Sequence, residues 1–257
     1  MGPTADRTQD SQRPAAVLVG HGSLLKASGA AMMAIAEQLR QRAITPIVAA
    51  GFLNFSQPTF AEAVASAVQQ GASRVIVLPY FLIQGHYVAS ELPALVRTVA
   101  ASYPHLPFAI AEGLGAHPGL VELARKRLSV LDEAPGPQSG LLFAAHGTPL
   151  EAANRPIQQV IGQVQARLGY ALAVIGYLEC NEPTIPQGIA QLVAAGMERV
   201  SILPYFLHLG RHLRQDLPAL FAEAQRQHPD LNLRIAPHLD FDPLLVDIMA
   251  ERLLEQL

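Results

Sequence analysis

The stretch "LPYFLHLGRHLRQDLPAL", Leu203 to Leu220, opens like a buried strand, turns at Gly210 and carries histidines at 208 and 212 on either side of that turn. A near copy, "LPYFLIQGHYVASELPAL", runs from Leu78 to Leu95. The apolar frame is the same in both, but the polar residues differ. Two versions of one loop indicate an internal repeat, and a repeat constrains architecture before any local pattern does. Shifting the chain by 125 positions brings the halves into register. His21-Gly22-Ser23 meets His146-Gly147-Thr148, Pro58-Thr59 meets Pro183-Thr184, and Gly71 meets Gly196. Pro93 meets Pro218, and Pro118 meets Pro243. One offset serves from end to end without a gap.

Each half reads as alternating strands and helices. Val17 to Gly20, Pro46 to Phe52, Val75 to Phe81 and Phe108 to Ala111 are short apolar runs of strand type. Ala30 to Arg42, Phe60 to Gln70, Leu92 to Ser102 and Gly119 to Leu128 have helical spacing between them. Gly71 is placed to end the second helix in a left-handed conformation. In the second half the strands are expected over Leu141 to Ala145, Val174 to Leu178 and Val200 to Leu207. Strict βα alternation with apolar strands predicts an α/β fold, its parallel sheet covered by helices on both faces. Two such lobes with a cleft between them are expected, at 15–130 and 141–257. Residues 1–14 read as a flexible tail and 131–140 as the linker, which contains "DEAPGPQSG".

Composition excludes several function classes. The net charge of -3, with no basic run, argues against a nucleic-acid partner. A lone cysteine, Cys180, excludes a disulfide framework and a protein-held iron–sulfur cluster, and fits a reducing cytoplasm. No apolar run reaches the roughly 18 residues that span a bilayer, so no membrane partner is expected. The opening "MGPTADRTQDSQRP" lacks the apolar segment of a secretion signal.

In open parallel sheets, ligand sites form at the carboxyl ends of strands. In the second half His146 follows strand one, Glu179 strand two, and His208 and His212 strand three. Imidazoles with a carboxylate can bind a borderline divalent metal or exchange protons near neutral pH. The counterparts in the first half are His21, Asn54, Ile83 and Tyr87. A purely structural role for Glu179 or His212 would serve both copies equally, so the second half is expected to be the reacting lobe. His21 and His86 form the competing site in the first. Taken singly, each of these histidines also reads as a polar loop residue, and "HGS" or "HGT" as a plain tight turn. What favours the joint reading is that three loops deliver compatible groups to one sheet edge.

As a set, "VLVGHGS", "GFLNFSQPTF", "GYLECNEPTIPQGI" and "LPYFLHLGRHLRQDLPAL" resemble the ATP-independent, class II tetrapyrrole chelatases. The branch most like them is the sirohydrochlorin cobaltochelatase and ferrochelatase family in its long, two-repeat form. The resemblance covers nearly the whole chain. It implies two flavodoxin-like lobes that insert Co²⁺ or Fe²⁺ into sirohydrochlorin, with no prosthetic group and no ATP. The sequence agrees on the last point, since it has no G-x-x-x-x-G-K-[ST] loop. The family's first metal-site histidine falls on His146 or His21, its acidic residue on Glu179, and its second histidine on His212. In the first half that pattern is broken by Asn54 and Tyr87. A carboxylate-rimmed macrocycle would suit Arg211, Arg214 and Arg155, with His208 beside them, because arginine grips carboxylates in a two-point fork. The expected partners are the tetrapyrrole and the metal, and the expected state is a monomer or weak homodimer. The alternative is a non-catalytic carrier of tetrapyrrole or metal on the same fold.

Overall fold

The computed structural model describes residues 13–22, 29–131 and 134–257. Most of the expected tail, residues 1–12, therefore lies outside the described residues, as do Ser23 and two positions of the expected linker. The first half comprises β1 (Pro14–Gly20), α1 (Ala30–Arg42), β2 (Ile47–Phe52), α2 (Phe60–Gln69), β3 (Arg74–Pro79), α3 (Leu92–Ala100), β4 (Phe108–Ile110) and α4 (Pro118–Leu128). The second half repeats this as β5 (Ser139–Ala145), α5 (Arg155–Leu168), β6 (Leu172–Tyr177), α6 (Ile185–Ala194), β7 (Arg199–Pro204), α7 (Leu217–Gln227), β8 (Asn232–Ile235) and α8 (Pro243–Leu254). Among the described residues no helix is long and apolar enough to cross a membrane.

Each half forms one four-stranded, all-parallel sheet, ordered β2-β1-β3-β4 and β6-β5-β7-β8. The central strands are apolar because both their faces are covered; every residue of β5 is buried. Local chemistry fixes the helix starts. Thr59 caps α2 by accepting from the Glu62 N–H at 3.2 Å, while the Glu62 carboxylate accepts from the Thr59 N–H at 2.7 Å. Thr184 and Gln187 build the same reciprocal cap on α6. Such a cap satisfies backbone donors that the first helical turn leaves open. Gly71 has φ +83°, the left-handed ending expected for α2.

The strand "VSILPYFL" stops earlier than its apolar run suggests. Pro204 has no N–H for the ladder, and the chain leaves β7 there. Beyond Gly210 the chain enters one wide, π-helical turn, His212–Asp216, that leads into α7. Tyr87–Glu91 forms the matching turn before α3.

The described residues form three apolar cores. One lies between the first sheet and α2 and α3, and another between the second sheet and α6 and α7. The third is continuous across both halves, and joins β1, β3 and α1 to α4, α5, β5 and α8. Its helices are exchanged. α4, from the first repeat, packs on α5 and on β7 of the second sheet, whereas α8 packs on α1 and on β3 of the first. The final helix of each repeat thus covers the other repeat's sheet.

The exchange is fixed by related polar contacts. Asp242 caps α8 and pairs with Lys126 of α4 at 2.7 Å and Arg127 at 3.1 Å. His117 caps α4, and its Nε2 meets Glu251 of α8 at 3.0 Å. The 125-residue offset relates His117 to Asp242 and Lys126 to Glu251. The same contact is therefore made twice, with the acidic and basic partners exchanged between the helices.

Candidate metal centre

Because β5 lies between β6 and β7, the loops after these three strands emerge side by side. His146 directly follows β5, Glu179 lies two residues beyond β6, and His212 opens the wide turn after β7. Their donor atoms lie within 4.8 Å of one another, the one such group of histidine, cysteine and acidic side chains among the described residues. The rings of His146 and His212 are 5.0 Å apart and nearly perpendicular, at 78°.

Backbone bonds lock two of the three loops together. The Leu178 N–H donates to Ala145 O at 2.8 Å and the Glu179 N–H to His146 O at 2.9 Å. Between them sits Gly147, at φ +91°, where a Cβ would lie 2.0 Å from Glu179 O. Only glycine permits that approach. Gly22 repeats the geometry in the first half, where a Cβ would lie 1.7 Å from Asn54 O. Glycine at positions 22 and 147 is thus a steric necessity of the scaffold, whereas the side chains beside it differ between the halves.

The third loop brings a residue that the sequence reading missed. His212 Nδ1 donates to Asp216 Oδ2 at 2.7 Å, four residues on within the wide turn. A carboxylate only accepts, so Nδ1 carries the proton and Nε2 is left as the metal donor. His146 points its Nδ1 at Gly147 O, at 3.3 Å, which favours the same arrangement. Asp216 was discoverable in principle, since an acid four residues after a histidine shares its helical face. Replacing Asp216 by Ala is expected to weaken Co²⁺ binding about 10–100-fold, while Asn restores part of it. Titration followed by cobalt's visible absorption checks this; undiminished affinity in the Ala variant would remove Asp216 from the site.

The remaining expected residues fall as follows. Arg211, Arg214 and Arg155 are exposed, the first two flanking His212 and the third opening α5. His208 is not among the three donors. Its ring packs against Tyr80 of the first half, with centroids 5.5 Å apart. Tyr80 is buried, and burial, helped by Asp240, pushes its phenol pKa far above the usual range. In the competing site, His21 faces Tyr87 edge-on at 4.3 Å, and His86 turns to Glu91 at 3.5 Å. A groove of about 710 Å³ lies beside Glu179, lined with Glu151, Asn154, Gln158 and Asn181 among others. Glu179 is exposed at this groove.

The CbiX family pattern matches residues 15–131 and again 140–256. The sirohydrochlorin cobaltochelatase of Priestia megaterium is 24% identical over 204 residues, which cover 78% of this chain and 66% of that protein. The sirohydrochlorin ferrochelatase of the same organism is 22% identical over 215 residues, covering 82% of this chain and 81% of that one. Among solved structures, SirB from Bacillus subtilis with Fe³⁺ superposes with a TM-score of 0.84, at 18% identity, over 95% of each chain. With the repeat in the sequence, the paired sheets and a family match to each copy, the chain is a member of the CbiX family in two-repeat form.

Proposed function

We propose that the protein inserts Co²⁺ or Fe²⁺ into sirohydrochlorin without ATP, and that the reaction takes place at the second-half centre. The observation that carries this reading is the cluster of His146, Glu179 and His212, three donors from three neighbouring strand-end loops. Metalation exchanges two pyrrole N–H protons for one divalent ion. The neutral imidazoles of His146 and His212 hold a borderline ion without fixing it permanently. Glu179, exposed beside the water-accessible groove, accepts the pyrrole protons in turn and passes them to solvent. No redox step and no covalent intermediate is needed. Arg211, Arg214 and Arg155 would grip the carboxylate rim of the macrocycle. His208, packed on Tyr80, would meet the macrocycle where the two halves adjoin.

The test is the visible spectrum of the protein incubated with sirohydrochlorin and either metal in nucleotide-free buffer. The expected result is a metallated product that forms faster than in the protein-free control. Tight binding of macrocycle or metal with no acceleration would make the protein a carrier. A strict requirement for ATP would overturn the class II reading.

A further inference from the structure

The first-half counterpart of the metal centre keeps its scaffold and one histidine, but not the other two ligands. The strand-end loops there carry His21, Asn54 and Tyr87 where the second half has His146, Glu179 and His212. Tyr87 takes the ligand's place against His21 with nearly the same geometry, 4.3 Å and 80°, against 5.0 Å and 78° in the second half. Phe55 stands where the second half has Cys180. Both residues have positive φ, 60° and 67°, so the loop shape is common and the ring is particular to the first half. Phe55 is 66% exposed and Tyr87 40% exposed. His21 lies between them, 6.0 Å from Phe55. A bulky residue in the left-handed region is a rare outlier, and here its ring gains little burial in return.

The two centres are neighbours. A Cβ on Gly85, two residues before Tyr87, would lie 3.0 Å from the hydroxyl of Thr148, two residues after His146. Tyr80, just after β3, also meets His208, after β7, with ring centroids 5.5 Å apart. The loop that carries Tyr87 therefore adjoins the loop that carries His146.

We propose that the first-half centre is an aromatic docking surface for the tetrapyrrole, with Phe55 and Tyr87 contacting the macrocycle while the second half supplies the metal. The inference rests on the chelatase reading of the second half and assigns the first half its task. Among the described residues only the second half gathers three metal donors, which leaves the first half free to hold the ring. Exposed aromatic rings suit a planar conjugated ligand, because offset stacking and edge-to-face contact add to simple burial.

The experiment measures metal-free sirohydrochlorin binding by fluorescence quenching, Co²⁺ binding by visible absorption, and steady-state insertion, on the full chain. Phe55→Ala and Tyr87→Ala should each raise the Kd for sirohydrochlorin about tenfold, and raise KM alongside it. Co²⁺ affinity should stay at the wild-type value. Phe55→Tyr and Tyr87→Phe keep a ring and should keep the affinity. Unchanged Kd in both Ala variants, with a wild type that turns over, overturns the inference and leaves the chelatase reading intact. Ring-dependent binding by a wild type that forms no product supports the docking surface and overturns the chelatase reading. A wild type that binds no tetrapyrrole overturns both.

Discussion

His146→Ala and His212→Ala are each expected to lower sirohydrochlorin metalation by more than 100-fold. The centre has three donors within 4.8 Å, two of them imidazoles, and an ion offered to a macrocycle must be held by few and exchangeable bonds. Removing one imidazole from so small a set leaves one nitrogen and one carboxylate. Loss of outer-shell partners of metal ligands typically costs 10–100-fold, so loss of a ligand itself falls beyond the upper end of that range. The comparison pair is His21→Ala and His86→Ala, read by Co²⁺ titration. His21 faces Tyr87 and His86 faces Glu91, so neither shares a three-donor group. Both variants should bind Co²⁺ as the wild type does. If His21→Ala or His86→Ala abolishes metal binding while the second-half variants retain it, the reacting lobe is the first.

The sheet edges are legible in the sequence because strand and helix periodicity is local. Strand and helix positions follow from periodicity, and α1 falls on the same residues as its expected span. The repeat did more, since it let each polar residue be compared with its own counterpart. That comparison singled out Glu179 against Asn54 and His212 against Tyr87, and the structure gathers the two second-half residues with His146. The bond between His212 and Asp216 was not seen because it depends on the wide turn after Gly210, and the apolar pattern of that segment does not specify its pitch. His208 was read by its nearness to His212 in the chain. Its ring lies on Tyr80, a contact between halves that no pattern within one half encodes. The exchange of α4 and α8 was hidden for a similar reason. An amphipathic helix shows which face it buries, but not which of two similar sheets will cover it.

That exchange leads to the second large effect, on stability. Asp242→Ala should lower stability by roughly 3 kcal/mol, at the lower end of what breaking a buried ion pair costs. Asp242 is 3% exposed, and its oxygens meet three groups, Lys126, Arg127 and the Leu244 N–H that it caps. Arg127 is the partner that suffers most. Its side chain is 14% exposed, and it also donates to the carbonyls of His238 and Leu239. Lys126, half-exposed, is rescued by water and adds little. Without the carboxylate, the guanidinium stays in the seam between α4 and the chain entering α8 with its charge uncompensated. For a chain of this size the expected fall in Tm is about 6–12 °C, read by circular dichroism. One transition should be seen rather than two, because the central core belongs to both halves. The pH dependence has a definite sign. Burial alone would push the Asp242 carboxyl up, but Lys126, the Leu244 N–H and Arg127 overcome it and hold the pKa below the ordinary value. A depressed carboxyl stabilises the fold above its unfolded pKa, and that contribution is lost as pH falls through the folded value. The wild type should therefore lose stability more steeply than Asp242→Ala as pH drops below about 4, so that the two melting curves converge in acid. Parallel curves across that range, or an Ala variant as stable as the wild type at neutral pH, would mean that apolar packing of α8 on α1 and β3 holds the exchanged helix without this pair.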